Sequence, residues 1–219
     1  MNTQLIYHFL SELSKNNSRE WMDENRDWYL KAKQKHLELV SALLTGIIPF
    51  DEGLQGLEPK DCIFRINRDI RFSKDKTPYK NNFGVYLSEG GKKSANAGYY
   101  LHLQPGNESF IGGGLHRPDS ESLSKVRQEI DYNAGELKTI VSSESFKKYF
   151  KEIQGEKLKR APKGYDPNHP NIELLKLKEF VVIRKLKDTE VLSDQLVENA
   201  TSTFKAIAPF INYLNVAVS

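Results

Sequence analysis

Six cations lie within sixteen residues of this chain: Arg65, Arg68, Arg71, Lys74, Lys76 and Lys80. Two aspartates, Asp69 and Asp75, share the stretch, leaving a local net charge of +4 in a 219-residue chain that carries only +3 in total. Guanidinium groups present planar forks of donors that match carboxylate or phosphate oxygens, and they stay charged at physiological pH. The cluster therefore either holds an anion or is tied down by its own aspartates. In the first case Arg65, Arg68 and Arg71 ligate the anion, Lys76 and Lys80 add field, and Asp75 and Tyr79 complete the binding set. Asp69 orients an arginine or acts as a general base. Phosphoryl or phosphodiester hydrolysis is the reaction that suits such cationic stabilisation, should the site be catalytic. In the second case the stretch is an internal ion network that fastens a loop to the fold.

These residues must be positioned by strands. Residues 62–68 alternate Phe64 and Ile66 against Arg65 and Asn67, residues 83–88 alternate Phe83, Val85 and Leu87 against Tyr86, and residues 98–104 set Tyr99, Leu101 and Leu103 against Tyr100 and His102. Period-2 alternation puts one set in a core and the other on the opposite face. Arg65, Asn67, Tyr86, Tyr100 and His102 are thus expected on one wall, with Tyr100 and His102 lining the pocket and His102 as a candidate catalytic residue. Phe110 to Gly113 forms the next strand, and short turns between these segments predict an antiparallel meander.

Helical periodicity surrounds the strands. Leu5, Ile6, Phe9, Leu10 and Leu13 predict a helix over 3–14. Asn17 with Glu20 predicts a capped helix from there to Pro49. Helices are also expected from Pro118 to 130, over 134–142 and 144–153, near 171–177, and from Ser193 to Ala208. Phe180, Val181, Val182 and Ile183 form an apolar run that suggests a strand covered on both faces. Helices before and after a run of strands predict an α+β class, with one domain over residues 1–219.

Other motifs are weaker. Gly112, Gly113 and Gly114 precede the helix opened by Pro118 and Asp119. No P-loop or dinucleotide pattern accompanies them, so a bulge or a close backbone approach is the favoured reading. Residues 158–170 hold three prolines with Lys159, Arg160 and Lys163, a loop suited to fold over the pocket as a lid, with Lys163 reaching the ligand. The five histidines lack metal-ligand spacing, the single cysteine adds no zinc pattern, and no Gly-x-Ser-x-Gly elbow supports a serine triad. Asp69 and Asp75 sit too close to cations to favour magnesium. No metal or cofactor is expected.

Composition sets the class. Hydrophobic content of 38% and charged content of 28% describe a globular chain, and no segment reaches a membrane span. Residues 1–10 show no secretory signal, and Cys62 alone cannot form an internal disulfide, so a cytoplasmic protein is expected. The expected partner is an anionic small molecule, with nucleic acid as the alternative and no membrane.

The run from Arg65 to Tyr79 resembles the motif Arg-x-x-Arg-Asp-x-Arg-Phe-x-x-Asp-Lys-x-x-Tyr of the DUF2461 family, with every fixed position present. Residues 17–29, 98–102, 112–119 and 158–170 resemble further blocks of that family. The resemblance implies a bacterial protein of about this length, with fungal relatives, and it treats the basic motif and the blocks around Gly112 and Lys163 as parts of one arrangement. It implies no activity.

Overall fold

A computed structural model describes residues 3–219; Met1 and Asn2, which open the segment read for a signal, lie outside them. The apolar stripe of α1, Gln4–Lys15, buries Ile6, Phe9, Leu10 and Leu13 completely. The next helix begins one residue later than the sequence suggests. Ser18 is the cap, its Oγ accepting from the Trp21 N–H at 3.1 Å, and α2 (Arg19–Glu24) stops at Asn25. There φ −108° and ψ 22° interrupt the ladder, and α3 (Arg26–Ile47) starts afresh. Asn17 is thereby released for another task described below.

Residues 62–68 do not form the expected strand. A short helix, α4 (Pro59–Cys62), precedes them, and only Ile63 and Asn67 make isolated bridges, to Val85 and Tyr79. Without a regular ladder the alternation slips. Ile66 is buried, but Phe64 is 38% exposed, and its ring stands edge-on to Tyr100 at 6.3 Å. It therefore lies on the face opposite to the one expected.

The meander is present as β1 (Phe83–Leu87), β2 (Gly98–Leu103) and β3 (Phe110–Leu115), and β4 (Phe180–Lys185) adds antiparallel to β3, giving the order β1-β2-β3-β4. One face supplies Val85, Tyr99, Leu101, Ile111, Phe180 and Val182 to the core, all essentially inaccessible. Helices α1 and α3 and the C-terminal helix cover that face. The other face stays open, so β4 is covered on one side only: Val181 and Ile183 are half-buried. The strand runs on past Gly113, so all three glycines lie inside β3. Gly114 has φ +124°, and a Cβ there would overlap the Phe180 carbonyl oxygen, so a close backbone approach is what demands glycine.

Between β3 and β4 run α5 (Ser120–Ser142), kinked at Asn133, then α6 (Glu144–Tyr149) and α7 (Ile172–Leu175). After α8 (Asp188–Val191), α9 spans Leu196–Val218 and passes straight through Pro209, where the sequence suggests a stop. An interior proline costs a helix about 3 kcal/mol. Phe210, Ile211 and Leu214, all buried beyond it, gain roughly 1.5–3 kcal/mol each, so burial outweighs the lost hydrogen bond. The result is a single α+β arrangement.

Candidate functional site

Strand register builds the site on the open face. Tyr86 sits opposite Tyr100, which sits opposite Gly112, opposite Ile183; in the adjacent row Gly84, His102, Phe110 and Lys185 align. Large rings alternate with glycines, and the glycines let the tyrosines lean over. The Tyr100 hydroxyl lies 2.8 Å from where a Cβ on Gly84 would be, and the Tyr86 ring 2.9 Å from where one on Gly98 would be. A groove of about 900 Å³ results, walled by Phe64, Arg65 and Lys80 beside β1, by residues 94–96 and Lys92, by residues 116–119 at the start of α5, and by Val181 and Ile183 of β4. That volume suits a small ligand, and its mostly apolar wall with few polar groups is the usual make-up of such sites.

A polar chain crosses the floor. His102 Nε2 faces Gln104 Oε1 at 3.0 Å, and Nδ1 faces the Tyr100 hydroxyl at 3.1 Å. The Gln104 carbonyl oxygen assigns the ring proton to Nε2, so Nδ1 accepts from Tyr100. Burial lowers the His102 pKa, with the Gln104 contact opposing it, and burial raises that of Tyr100. At neutral pH the pair is an uncharged acceptor and a phenol, and both shifts keep the proton on the tyrosine oxygen. Tyr86, pushed up to about 12 by burial, donates to the Asn96 carbonyl at 2.8 Å and pins the β1–β2 loop.

Two cations stand at the β1 end. Arg65 is exposed, and Lys80 places its ammonium 5.7 Å from the centre of the Phe64 ring. Among the described residues no carboxylate pairs with either. The Lys80 pKa is lowered, first by partial burial and then by the charge of Arg65. The two cations stand beside an apolar cleft, and the Asp69 carboxylate, though not in contact, is near enough to Arg65 for that charge to help lower its pKa. Elsewhere on the rim, Lys92 donates to the Lys60 and Asp61 carbonyls at 3.2 Å each, and His116 contacts Glu179 at 2.7 Å.

The rest of the basic motif lies apart from the groove. Residues 66–80 double back as an arm, closed by Arg68 N–H to Pro78 O at 2.9 Å and Lys80 N–H to Ile66 O at 2.8 Å. Asn17 clasps it, donating to the Tyr79 carbonyl and accepting from the Tyr79 N–H at 2.9 and 3.1 Å. Tyr79 is half-buried against the core. Toward the tip, Arg68 binds Asp75 and Thr77, Arg71 grips Asp69 through Nε and Nη2 at 3.0 and 2.7 Å, and Lys76 donates to the Ile70 carbonyl at 2.9 Å. Arg71 holds the Asp69 carboxyl below its ordinary range; the Thr77 N–H, then Arg68, hold Asp75 down to about 2. Phe72, at the tip, is 95% exposed.

The structure thus brings Arg65, Lys80, Tyr100 and His102 together, while on the arm Arg68 pairs with Asp75, Arg71 pairs with Asp69 and Lys76 bonds the Ile70 carbonyl. Lys163 is not at the groove either. Its loop is tied to α5 by His169 and Asp131 at 3.0 Å and to the β4 side by Leu158 N–H to the Lys176 carbonyl at 2.8 Å; no residue of 158–170 lines the groove. Phe64, Lys92, Phe110 and Arg117 line the groove without having been singled out for it. For Phe110 the signal was present, since its alternation with Ile111 matches that of His102 with Leu101. Among the described residues no cluster of His, Cys, Asp or Glu is placed to hold a metal ion, and no helix is long and apolar enough to cross a membrane.

A model of the family DUF2461, described as a conserved hypothetical protein, matches residues 6–213. Searches of the curated proteins and of the solved structures returned no match. The matched span takes in the arm, all four strands and most of α9, so groove and arm both fall within it.

Proposed function

The chain belongs to the DUF2461 family, and from that premise we propose that it binds an anionic, phosphate-bearing small molecule, nucleotides included, in the groove on the open face of its sheet. The carrying observation is the pairing of Arg65 with Lys80, two cations without a carboxylate partner at the end of an apolar cleft of about 900 Å³. Were a phosphate ester hydrolysed in this groove, water would add to phosphorus as the ester P–O bond breaks and the water's proton would end on the leaving alcohol, with His102 and Tyr100 as the titratable groups beside it. Asp69, committed to Arg71 on the arm, takes no part in that scheme.

A thermal-shift screen of phosphate-bearing metabolites tests the reading. A ligand at one hundred times its Kd stabilises a protein by about 2.7 kcal/mol, which for a chain of this size raises Tm by about 5–10 °C. Arg65→Ala should remove the rise, and Arg68→Ala should leave it. No rise with any compound, or a rise that survives Arg65→Ala, overturns the proposal.

Single-stranded nucleic acid laid across the same face is the second reading, favoured by Phe64, Tyr100 and Phe110 on an open four-stranded sheet. Binding that falls linearly on a log–log plot against salt would select it.

A further inference from the structure

Phe72 is the most exposed large apolar side chain among the described residues, at the end of an arm whose own bonds hold its shape. The groove makes no use of it. Arg71 places its guanidinium 5.8 Å from the centre of the Phe72 ring, and Lys74, exposed and without an ion-pair partner, lies two residues further on. The tip is an aromatic ring with a cationic border.

A matching surface lies elsewhere on the same chain. A cleft of about 660 Å³ is walled by Leu5 and His8 of α1, Trp28 of α3 and Leu192 after α8. Trp28 is half-buried and Leu192 is exposed, so this apolar wall faces water. Leu5 and Trp28 also border the adjoining hollow, which carries Asp23, Glu24 and Asp27 against Arg26 and Lys31. All three carboxylates are exposed, and none forms an ion pair among the described residues.

We infer that this cleft receives the arm tip of a second copy of the chain, with Phe72 against Trp28 and Leu192 and with Arg71 and Lys74 beside Asp23, Glu24 and Asp27. Buried aromatic anchors inside a charged border are the usual make-up of a protein contact. Charge selects the cleft over the groove. Residues 68–76 hold four cations and two aspartates, and the groove end is itself cationic through Arg65 and Lys80. The arm does not fill its own cleft, since Phe72 stays in water. Asn17, which clasps the base of the arm, precedes α2, and Asp23 and Glu24 end that helix about 10 Å further on. With arm base and cleft so close, a two-fold axis beside α2 lets each copy place its arm in the other, a contact that closes at two chains.

Sedimentation equilibrium of the full chain at low salt tests this, over about 1 µM to 1 mM, the range in which small contacts associate. The weight-average mass should climb from one chain toward two, and added salt should oppose the climb. Phe72→Ser, at a position the fold does not use, should weaken association at least tenfold and leave Tm unchanged. Glu24→Lys puts a cation at the end of α2, where a helix tolerates one, and should weaken association at least threefold. Adding Lys74→Glu to it should restore most of that loss. A single-chain mass at every concentration, or a dimer that survives Phe72→Ser, overturns the inference. A dimer that needs Phe72 but ignores Glu24→Lys, or a double variant no better than Glu24→Lys alone, would seat the tip elsewhere and overturn the cleft as its receptor.

Discussion

His36 and His102 each lie nearly parallel to a phenylalanine of the same sheet, His36 on Phe83 and His102 on Phe110, both at 4.7 Å between ring centroids. The first stack is on the core face and the second on the open face. His36 is 2% exposed, its Nε2 has no hydrogen-bond partner, and burial pushes its pKa down to about 3. It acts as a neutral, ring-shaped core residue. His102 is half-buried, and both nitrogens are bonded, one to Tyr100 and one to Gln104. The difference teaches that the stack itself carries no function. What separates filler from a candidate site is whether the ring nitrogens have partners and whether a ligand can reach them.

The core-face half of that comparison gives the largest expected effect. An unfolded histidine takes up a proton near pH 6.5, whereas folded His36 does so only near pH 3. Between those values the unfolded state binds more protons, so stability falls as pH drops from about 6.5 toward 3 and is unaffected above. At about 1.4 kcal/mol per unit the loss approaches roughly 4–5 kcal/mol. His36→Leu should flatten the acid side of a stability–pH profile measured by urea unfolding. An unchanged slope would mean that the core face is open enough to solvate the imidazolium.

Next in size is the link between the groove and the arm. Asn17→Ala removes two hydrogen bonds to the Tyr79 backbone and should cost about 1–2 kcal/mol. Amide exchange over residues 66–80 should rise, and so should the Kd of any groove ligand, because Lys80 sits at the arm's base. Fast exchange confined to the tip, with 66–67 and 79–80 still protected, would show the arm held by its own strand-like bonds. A smaller effect belongs to Asp75. Its depressed pKa contributes stability above its unfolded value near 4 that is lost as pH falls through about 2. The Asp75 carboxyl should therefore titrate near 2 by NMR and move up in Arg68→Ala; a midpoint near 4 in the parent chain would deny the arm its ion pair.

Much of this was legible in the chain. Alternation assigned Tyr99 and Leu101 to the core and Tyr100 and His102 to the open face because β2 is a regular strand with a partner on each side, where a one-residue slip would invert every side chain. The same rule misplaced Phe64, because residues 62–68 have only isolated bridges and nothing enforces the period. Pro209 misled for a different reason: propensity is local, and the burial that overrides it comes from the sheet and α5. The basic cluster was visible as charge. Its division into a base, Arg65 and Lys80, and a tip where Arg68 and Arg71 are each held by an aspartate depends on where residue 66 meets residue 80, a contact that spacing along the chain does not reveal.

The smallest expected effect decides what the tip is. Asp69→Asn in a buried network would strand guanidinium charge in a low dielectric and cost roughly 3–5 kcal/mol. Here Asp69 and Arg71 are both exposed at the end of the arm, with side-chain accessibilities of 44% and 76%, so water takes over the solvation of Arg71 when the carboxylate is lost. Exposed pairs contribute little, and the asparagine keeps an oxygen that can accept from the Arg71 N–H groups. The substitution should leave the denaturation midpoint within experimental scatter. Affinity for an anion in the groove should rise slightly at low salt, since Asp69 does not touch Arg65 but its charge is felt there. A loss of several kcal/mol would show that the tip folds back against the body and is a structural clasp. Unchanged stability with weakened binding would draw the tip into the site and erase the division between it and the groove.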